Sequence, residues 1–98
     1  MNAFLVSRIR VKDPAKMQEY AQAAGPTIAS YGGQLVVRGT FAKPLLGEAD
    51  DHQATTIIQF PDLAAIDACF SSPEYQALTA LREAAGDMQL LAYEDLAN

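Results

Sequence analysis

The chain has 98 residues, half of them hydrophobic and 19% charged, which is the composition of a folded globular protein and excludes a disordered or fibrous one. Seven basic residues against twelve acidic ones give a formal net charge of -5, without the broad basic face that DNA or RNA binding needs. A single cysteine excludes an intramolecular disulfide, no apolar run reaches the ~20 residues of a membrane span and no secretory signal is evident, so we predict one cytoplasmic domain over residues 1-98.

The first predicted strand covers residues 3 to 11 and is apolar on both faces in its first half. One face carries Leu5, Ile9 and Val11, and the other carries Phe4 and Val6 before Arg8 and Arg10. A strand that is apolar on both faces is covered on both sides, and so short a chain has helices for only one of them. The uncovered face therefore predicts a partner subunit.

A helix and a second strand follow. Asp13-Pro14 is typical of a helix start, because the aspartate accepts an orphan backbone N-H and the proline loses no hydrogen bond. Gly25-Pro26 lies inside this helix and predicts a kink or two helical pieces. Gly32 or Gly33 ends the helix in the left-handed conformation, and residues 35 to 37 supply the preference for a strand.

The second half of the chain predicts two further strands joined by helices. In chain order the segments are a loop over residues 41 to 53, a third strand over 54 to 60, a short helix capped by Asp62, a further helix from Ser72-Pro73 to Gly86 and a fourth strand over 88 to 93.

This order of elements predicts an α+β, ferredoxin-like β-α-β-β-α-β fold. Two right-handed β-α-β units give a four-stranded antiparallel sheet with helices on one face. The other face carries apolar residues, and a second copy of the same sheet is the obvious cover. We therefore predict a homodimer.

Three separated motifs resemble an uncharacterised family within the dimeric α/β-barrel superfamily. They are Tyr31-Gly32-Gly33 running into Val37-Arg38-Gly39, then Ile58-Gln59-Phe60-Pro61, then Ser71-Ser72-Pro73-Glu74-Tyr75-Gln76 leading to Arg82. The resemblance implies a protomer whose sheet packs against that of a second protomer, with a small cavity between sheet and helices. Relatives in that superfamily include cofactor-independent monooxygenases, muconolactone isomerases and dye- or haem-handling enzymes.

Two residues are candidates for moving a proton. His52 is the only histidine and follows two aspartates, so it is a candidate general acid or base, with a solvated loop residue as the alternative. Tyr20 is the candidate phenol donor to a substrate oxygen, with core packing as the alternative. No second cluster of ligands accompanies Asp50, Asp51 and His52, so neither a metal nor a cofactor is predicted.

Four further residues are candidates for substrate binding. Arg38 and Arg82 lie in apolar segments, where a guanidinium either binds a carboxylate or enolate bidentately or forms an internal ion pair. Tyr31 and Tyr75 are placed with them as phenols at the core edge, which more often pack and reach the backbone.

Two hypotheses for function follow. The first is a small-molecule-binding homodimer that acts as a cofactor-independent oxygenase or isomerase on a small enolisable or aromatic acid; Arg38 or Arg82 holds the anion, and His52 or Tyr20 moves the proton. The second is a non-catalytic ligand-binding or stress-related interaction module. An enclosed pocket lined by Arg38 and a tyrosine favours the first hypothesis, whereas a filled core favours the second.

Overall fold

The computed structural model describes residues 1–96. It contains four strands and four helices in the predicted order, and the sheet is antiparallel with strand order β2-β3-β1-β4. The ferredoxin-like α+β fold is therefore confirmed. The elements are β1 (Ala3–Val11), α1 (Pro14–Ser30), β2 (Gln34–Thr40), β3 (Ala54–Phe60), α2 (Leu63–Ser71), α3 (Pro73–Gln76), α4 (Thr79–Ala85) and β4 (Gly86–Glu94).

The core lies between α2 and the end of the sheet where β1 starts and β3 ends. Ala3 and Phe60 are opposite each other on these strands, and both are fully buried. Ile66 and Cys69 of α2 pack onto them together with Leu5. Burial raises the pKa of the Cys69 thiol, so this residue packs as a small apolar side chain.

Two glycines are required by close packing rather than by flexibility. A Cβ atom on Gly33 would lie 2.5 Å from Cγ2 of Ile28, and one on Gly86 would lie 2.5 Å from the carbonyl oxygen of Arg10. Of the two glycines predicted to end α1, Gly32 adopts the left-handed conformation, with a φ of 88°. Gly33 instead lets β2 start against the helix.

Of the two alternatives predicted for α1, two helical pieces are ruled out, because α1 is one continuous helix with Pro26 inside it; a kink at Pro26 stays a prediction. Pro26 cannot donate to the carbonyl of Gln22, but both residues are exposed, so water can satisfy that carbonyl. The helix predicted from Ser72 to Gly86 is two helices, α3 and α4, because the Leu78 amide bonds the Tyr75 carbonyl only three residues back.

Gly86 does not end α4 in the left-handed conformation. Its φ is 178°, which is extended backbone, and it is the first residue of β4 opposite Val11. The fourth strand was predicted to start at residue 88, but it starts at Gly86. A glycine is needed there because the backbone between α4 and β4 passes too close to the Arg10 carbonyl for any side chain.

The helices cover one face of the sheet and leave the other open. Strand alternation places Phe4 and Val6 of β1 on the open face with Ile57, Leu91 and Tyr93 opposite them. Leu91 and Tyr93 are exposed. The apolar open face that the sequence predicted is therefore present in the protomer.

Candidate functional site

A cavity of about 830 Å³ separates α1 from the helix-covered face of the sheet. Small residues of α1 form much of its roof, namely Ala21, Ala24, Gly25 and Ala29. Branched side chains of the sheet form an apolar floor that includes Leu5, Ile9, Leu35, Ile58 and Leu90. The cavity exists because alanines and a glycine of the helix leave the space over this floor unfilled.

A row of polar side chains crosses this floor. Arg38 of β2 pairs with Thr56 of β3, which in turn pairs with Ser7 of β1, and all three line the cavity. Neighbouring strands are about 5 Å apart, so the α-carbons of Arg38 and Ser7 are about 10 Å apart. One small molecule can therefore contact the whole row.

A bulge in β2 puts Arg38 in this row. The register shifts between Leu35, which pairs with Ile58, and Val37, which pairs with Ile57, so Val36 has no partner. In a regular strand Leu35 and Arg38 would face opposite sides; the extra residue brings both to the cavity side. Among residues 1–96, no acceptor bonds the Arg38 guanidinium, so the internal ion pair that was its alternative is not formed.

Ser7 and Thr56 form a hydroxyl pair. Their side-chain oxygens are 2.5 Å apart, and the Thr56 amide donates to Ser7 Oγ at 3.0 Å. Ser7 is 4% exposed, which makes it one of the few buried polar residues of the chain. Neither residue was predicted as a site residue from the sequence. The available signal was Ser7, which interrupts the apolar face of β1 formed by Leu5, Ile9 and Val11.

Three of the predicted site residues form a hydrogen-bonded chain that ends at the cavity. Arg82 Nη1 donates to Tyr75 Oη at 3.1 Å, and Tyr75 Oη is 2.7 Å from Tyr20 Oη. Tyr75 is fully buried, whereas Tyr20 lines the cavity. The hydrogen bond between the two hydroxyls can run in either direction; when Tyr75 donates, the Tyr20 hydroxyl keeps its own hydrogen for another acceptor.

The surroundings of Tyr20 and Arg82 keep both of these groups protonated. Burial raises the pKa of Tyr20 well above its usual range, so its phenol stays protonated and acts as a donor, not as a base. The hydrogen bond to Tyr75 raises the pKa of Arg82, whose guanidinium also lies 5.6 Å from the centre of the Tyr75 ring. Arg82 therefore contacts Tyr75 and does not itself line the cavity.

His52 lies outside the lining of the cavity. Its Nδ1 atom is 3.4 Å from Asp50 and 3.7 Å from Asp51, and these carboxylates pair with Arg8 and Arg10, which alternation places on the open face. The Arg8 hydrogen bond lowers the pKa of Asp50. The loop over residues 41 to 53 thus carries His52 away from Tyr20 and Arg38.

Tyr31 is also outside the cavity, packed half-buried against the core at the end of α1. The structure therefore brings Tyr20 and Arg38 to one cavity, connects Tyr75 and Arg82 to it through Tyr20, and leaves His52 and Tyr31 elsewhere. The part of the chain from Met1 to Leu96 contains no cluster of three or more His, Cys, Asp or Glu residues that could hold a metal ion. None of its helices is long and apolar enough to cross a membrane.

Comparisons with known proteins assign the chain at the level of family and fold. The model of a domain of unknown function, DUF1330, matches residues 2–96. A search of curated proteins gave no match.

Solved structures of the same fold include the following three. The RPA0582 protein of unknown function from Rhodopseudomonas palustris is 24% identical with a TM-score of 0.79, and the alignment covers 99% of this chain and 84% of that one. SnoaB, a cofactor-independent oxygenase from Streptomyces nogalater, is 14% identical with a TM-score of 0.71, covering 99% and 95%.

The third, a dimeric ferredoxin-like protein of unknown function from Jannaschia sp. CCS1, is 14% identical with a TM-score of 0.66, covering 97% and 100%. At these identities the likeness is one of fold.

Proposed function

The chain belongs to the DUF1330 domain family of unknown function, and we propose that it is a homodimer that binds a small organic acid in the cavity between α1 and the sheet. The observation that carries the proposal is the cavity itself: about 830 Å³, mostly apolar, with Arg38 on its wall. Ligand sites typically enclose ~300–1,000 Å³ and place a few polar groups in an apolar lining.

Arg38 is the group that selects an acid. Its guanidinium has no acceptor within residues 1–96, and a carboxylate fits a guanidinium through two parallel hydrogen bonds. The apolar floor and roof suit a hydrocarbon or aromatic body. The proposed ligand therefore has a carboxylate at one end and an apolar remainder.

Tyr20 is the second polar contact. Arg82 donates to Tyr75, and when Tyr75 in turn donates to Tyr20, the hydrogen of the Tyr20 hydroxyl is available to the proposed ligand. Such a donor stabilises an oxygen that gains negative charge, as in an enolate. This supports the finer proposal of an oxygenase or isomerase, for which SnoaB provides a similar fold with a cofactor-independent reaction.

The non-catalytic alternative has an observation in its favour as well. Among the described residues that line the cavity, none is a histidine, carboxylate or lysine that could act as a general base. A reaction here would need a substrate that is acidic enough to ionise without such a base. Binding is therefore the primary proposal, and turnover is the second step to be tested.

The homodimer is supported by the open face of the sheet. Val37, Leu91 and Tyr93 are exposed there, and a second copy of the same face would cover them. The similar Jannaschia protein is described as dimeric. A cytoplasmic location remains part of the proposal.

The test of binding is titration calorimetry with 4-phenylbutanoate, a small acid with an aromatic end. We expect Arg38→Ala to weaken binding at least tenfold and Arg38→Lys to weaken it less, because lysine keeps the charge and loses the bidentate geometry. Lys43→Ala is the control, since it removes an exposed cation in the loop. Equal affinities of the wild type and Arg38→Ala would contradict the proposal.

Turnover is tested on whatever acid native mass spectrometry finds retained by gently purified protein. Oxygen uptake or a product of changed mass supports the oxygenase or isomerase, and Tyr20→Phe should then lower kcat. Quantitative recovery of the unchanged acid supports the non-catalytic module.

A further inference from the structure

We propose that Ser7 and Thr56 form a subsite that donates one hydrogen bond to an uncharged carbonyl oxygen of the ligand. The preferred ligands would then be oxo acids, in which a ketone or quinone oxygen accompanies the carboxylate. This inference deepens the proposed function and rests on it for one point, that the cavity takes a small molecule.

The argument begins with the hydrogens of the pair. Two hydroxyl groups carry two hydrogens, and the contact of 2.5 Å between their oxygens uses one of them. Ser7 Oγ also accepts a hydrogen bond from the Thr56 amide. This bond uses a lone pair of the oxygen and neither of the two hydroxyl hydrogens. Whichever hydroxyl donates within the pair, one hydrogen is left over.

That remaining hydrogen has no acceptor in the protein as far as residues 1–96 are concerned. The other hydrogen bond at this point runs from Thr55 Oγ1 to the Ser7 carbonyl and uses neither hydroxyl of the pair. Ser7 is buried, and its neighbours on the cavity floor are Leu5, Ile9 and Leu90. A donor in such surroundings is normally satisfied, so an acceptor from outside the protein belongs here.

The position of the pair fits a second oxygen on the same ligand. Thr56 is directly beside Arg38 across β2 and β3, about 5 Å away between α-carbons. Because both residues line the same cavity, a carboxylate on Arg38 and a carbonyl on the hydroxyl pair can belong to one small molecule. Because the hydroxyl pair is neutral, it distinguishes ligands that have a carbonyl acceptor at this position from ligands that lack one, whatever their charge.

The test uses neutral probes, which do not need Arg38. Acetophenone and ethylbenzene have the same carbon skeleton and differ in the carbonyl oxygen. Their affinities are measured by NMR titration of ¹⁵N-labelled protein, with the Thr56 amide, which bonds Ser7 Oγ, as the local reporter. We expect the ratio of ketone affinity to hydrocarbon affinity to fall about tenfold in Ser7→Ala/Thr56→Val, the effect of one hydrogen bond.

The single variants sharpen the test, because each keeps one hydroxyl with a free hydrogen. At least one of Ser7→Ala and Thr56→Val should therefore retain most of the preference that the double variant loses. The matched control is Ser71→Ala/Thr79→Val, which removes the same two hydroxyl types outside this cavity. If the double variant does not fold, Ser7→Cys/Thr56→Val preserves the volume with a thiol, a much weaker donor.

Three outcomes would overturn the subsite: an unchanged ratio in the double variant, the same loss in the control, or no binding of acetophenone to the wild type up to its solubility. The failure of the acid proposal looks different. In that case acetophenone still binds through the hydroxyl pair, while 4-phenylbutanoate does not bind or binds independently of Arg38.

Discussion

At the scale of single residues, the chain Arg82–Tyr75–Tyr20 changes what each member can do. Arg82 donates to Tyr75, lies beside its ring and does not line the cavity, so it is not placed to bind an acid there. Tyr75 is buried and does not line the cavity, and its hydroxyl shares a hydrogen bond with the hydroxyl of Tyr20. Tyr20 alone meets the cavity, which makes the other two positioning residues.

Tyr75→Phe tests this arrangement. Phenylalanine keeps the edge-to-face contact with Phe70 but loses the hydrogen bonds to Arg82 and Tyr20. We expect the free energy of unfolding in urea to fall by about 1–2 kcal/mol, because a partly buried guanidinium loses its acceptor. Tyr31→Phe is the control, because Tyr31 lies outside this hydrogen-bonded chain and outside the cavity. Equal unfolding midpoints for the wild type and Tyr75→Phe would show that these bonds are not formed in solution.

The sequence also carried a residue-scale signal that went unused. Ser7 falls where the inward face of β1 should be apolar, and a lone hydroxyl in that pattern indicates either a buried partner or a ligand. Its partner Thr56 could not be identified, because the register between β1 and β3 depends on contacts distant in the chain. Ser7 of β1 could therefore have been identified from the sequence, whereas Thr56 of β3 could not.

At the scale of elements, the bounds of regular strands were predictable from the sequence, whereas a strand bulge was not. The bounds of β1 and β3 follow from alternation and β-branched residues, and the structure has them at the predicted residues. The bulge at Val36 leaves no trace in composition, so alternation alone would place Arg38 on the side away from Leu35. The continuity of α1 through Pro26 depends in the same way on which side of the helix is exposed.

Two glycines give an element-scale prediction of opposite sign. Gly86→Ala places a methyl group against the Arg10 carbonyl, and we expect it to destabilise the protein by about 1–3 kcal/mol. Gly39→Ala adds a methyl group to β2 at ordinary contact distance, 3.5 Å from Thr55 Cγ2, and we expect a gain of about 0.5–1 kcal/mol. Urea unfolding checks both. A loss of stability in Gly39→Ala would show that β2 needs a glycine at this position.

At the scale of the whole molecule, the two faces of the sheet have separate tasks. The helix-covered face holds the cavity and the polar row. The open face is divided: one end is apolar, and the other holds Arg10 paired with Asp51 and Asp87 inside the protomer. The charged end is therefore satisfied without a partner, and the apolar end is what a second copy would cover.

Leu91→Arg tests that assembly. The substitution puts a charge in the middle of the apolar end of the open face, beside Val6, and we expect the protein to sediment as a monomer at micromolar concentration. Gln18→Arg adds the same charge on the exposed side of α1 and should remain dimeric. A wild-type protein that is already monomeric under these conditions would rule out the homodimer.

The division of the cavity between roof and floor has an evolutionary consequence. Its size depends on alanine and glycine positions of α1, whereas its polarity depends on Arg38, Thr56 and Ser7 of the sheet. A larger residue in place of Ala21 would reduce the cavity without altering Arg38, Thr56 or Ser7. Substitutions in α1 and substitutions in the sheet can thus change the size and the polarity of the cavity by independent steps.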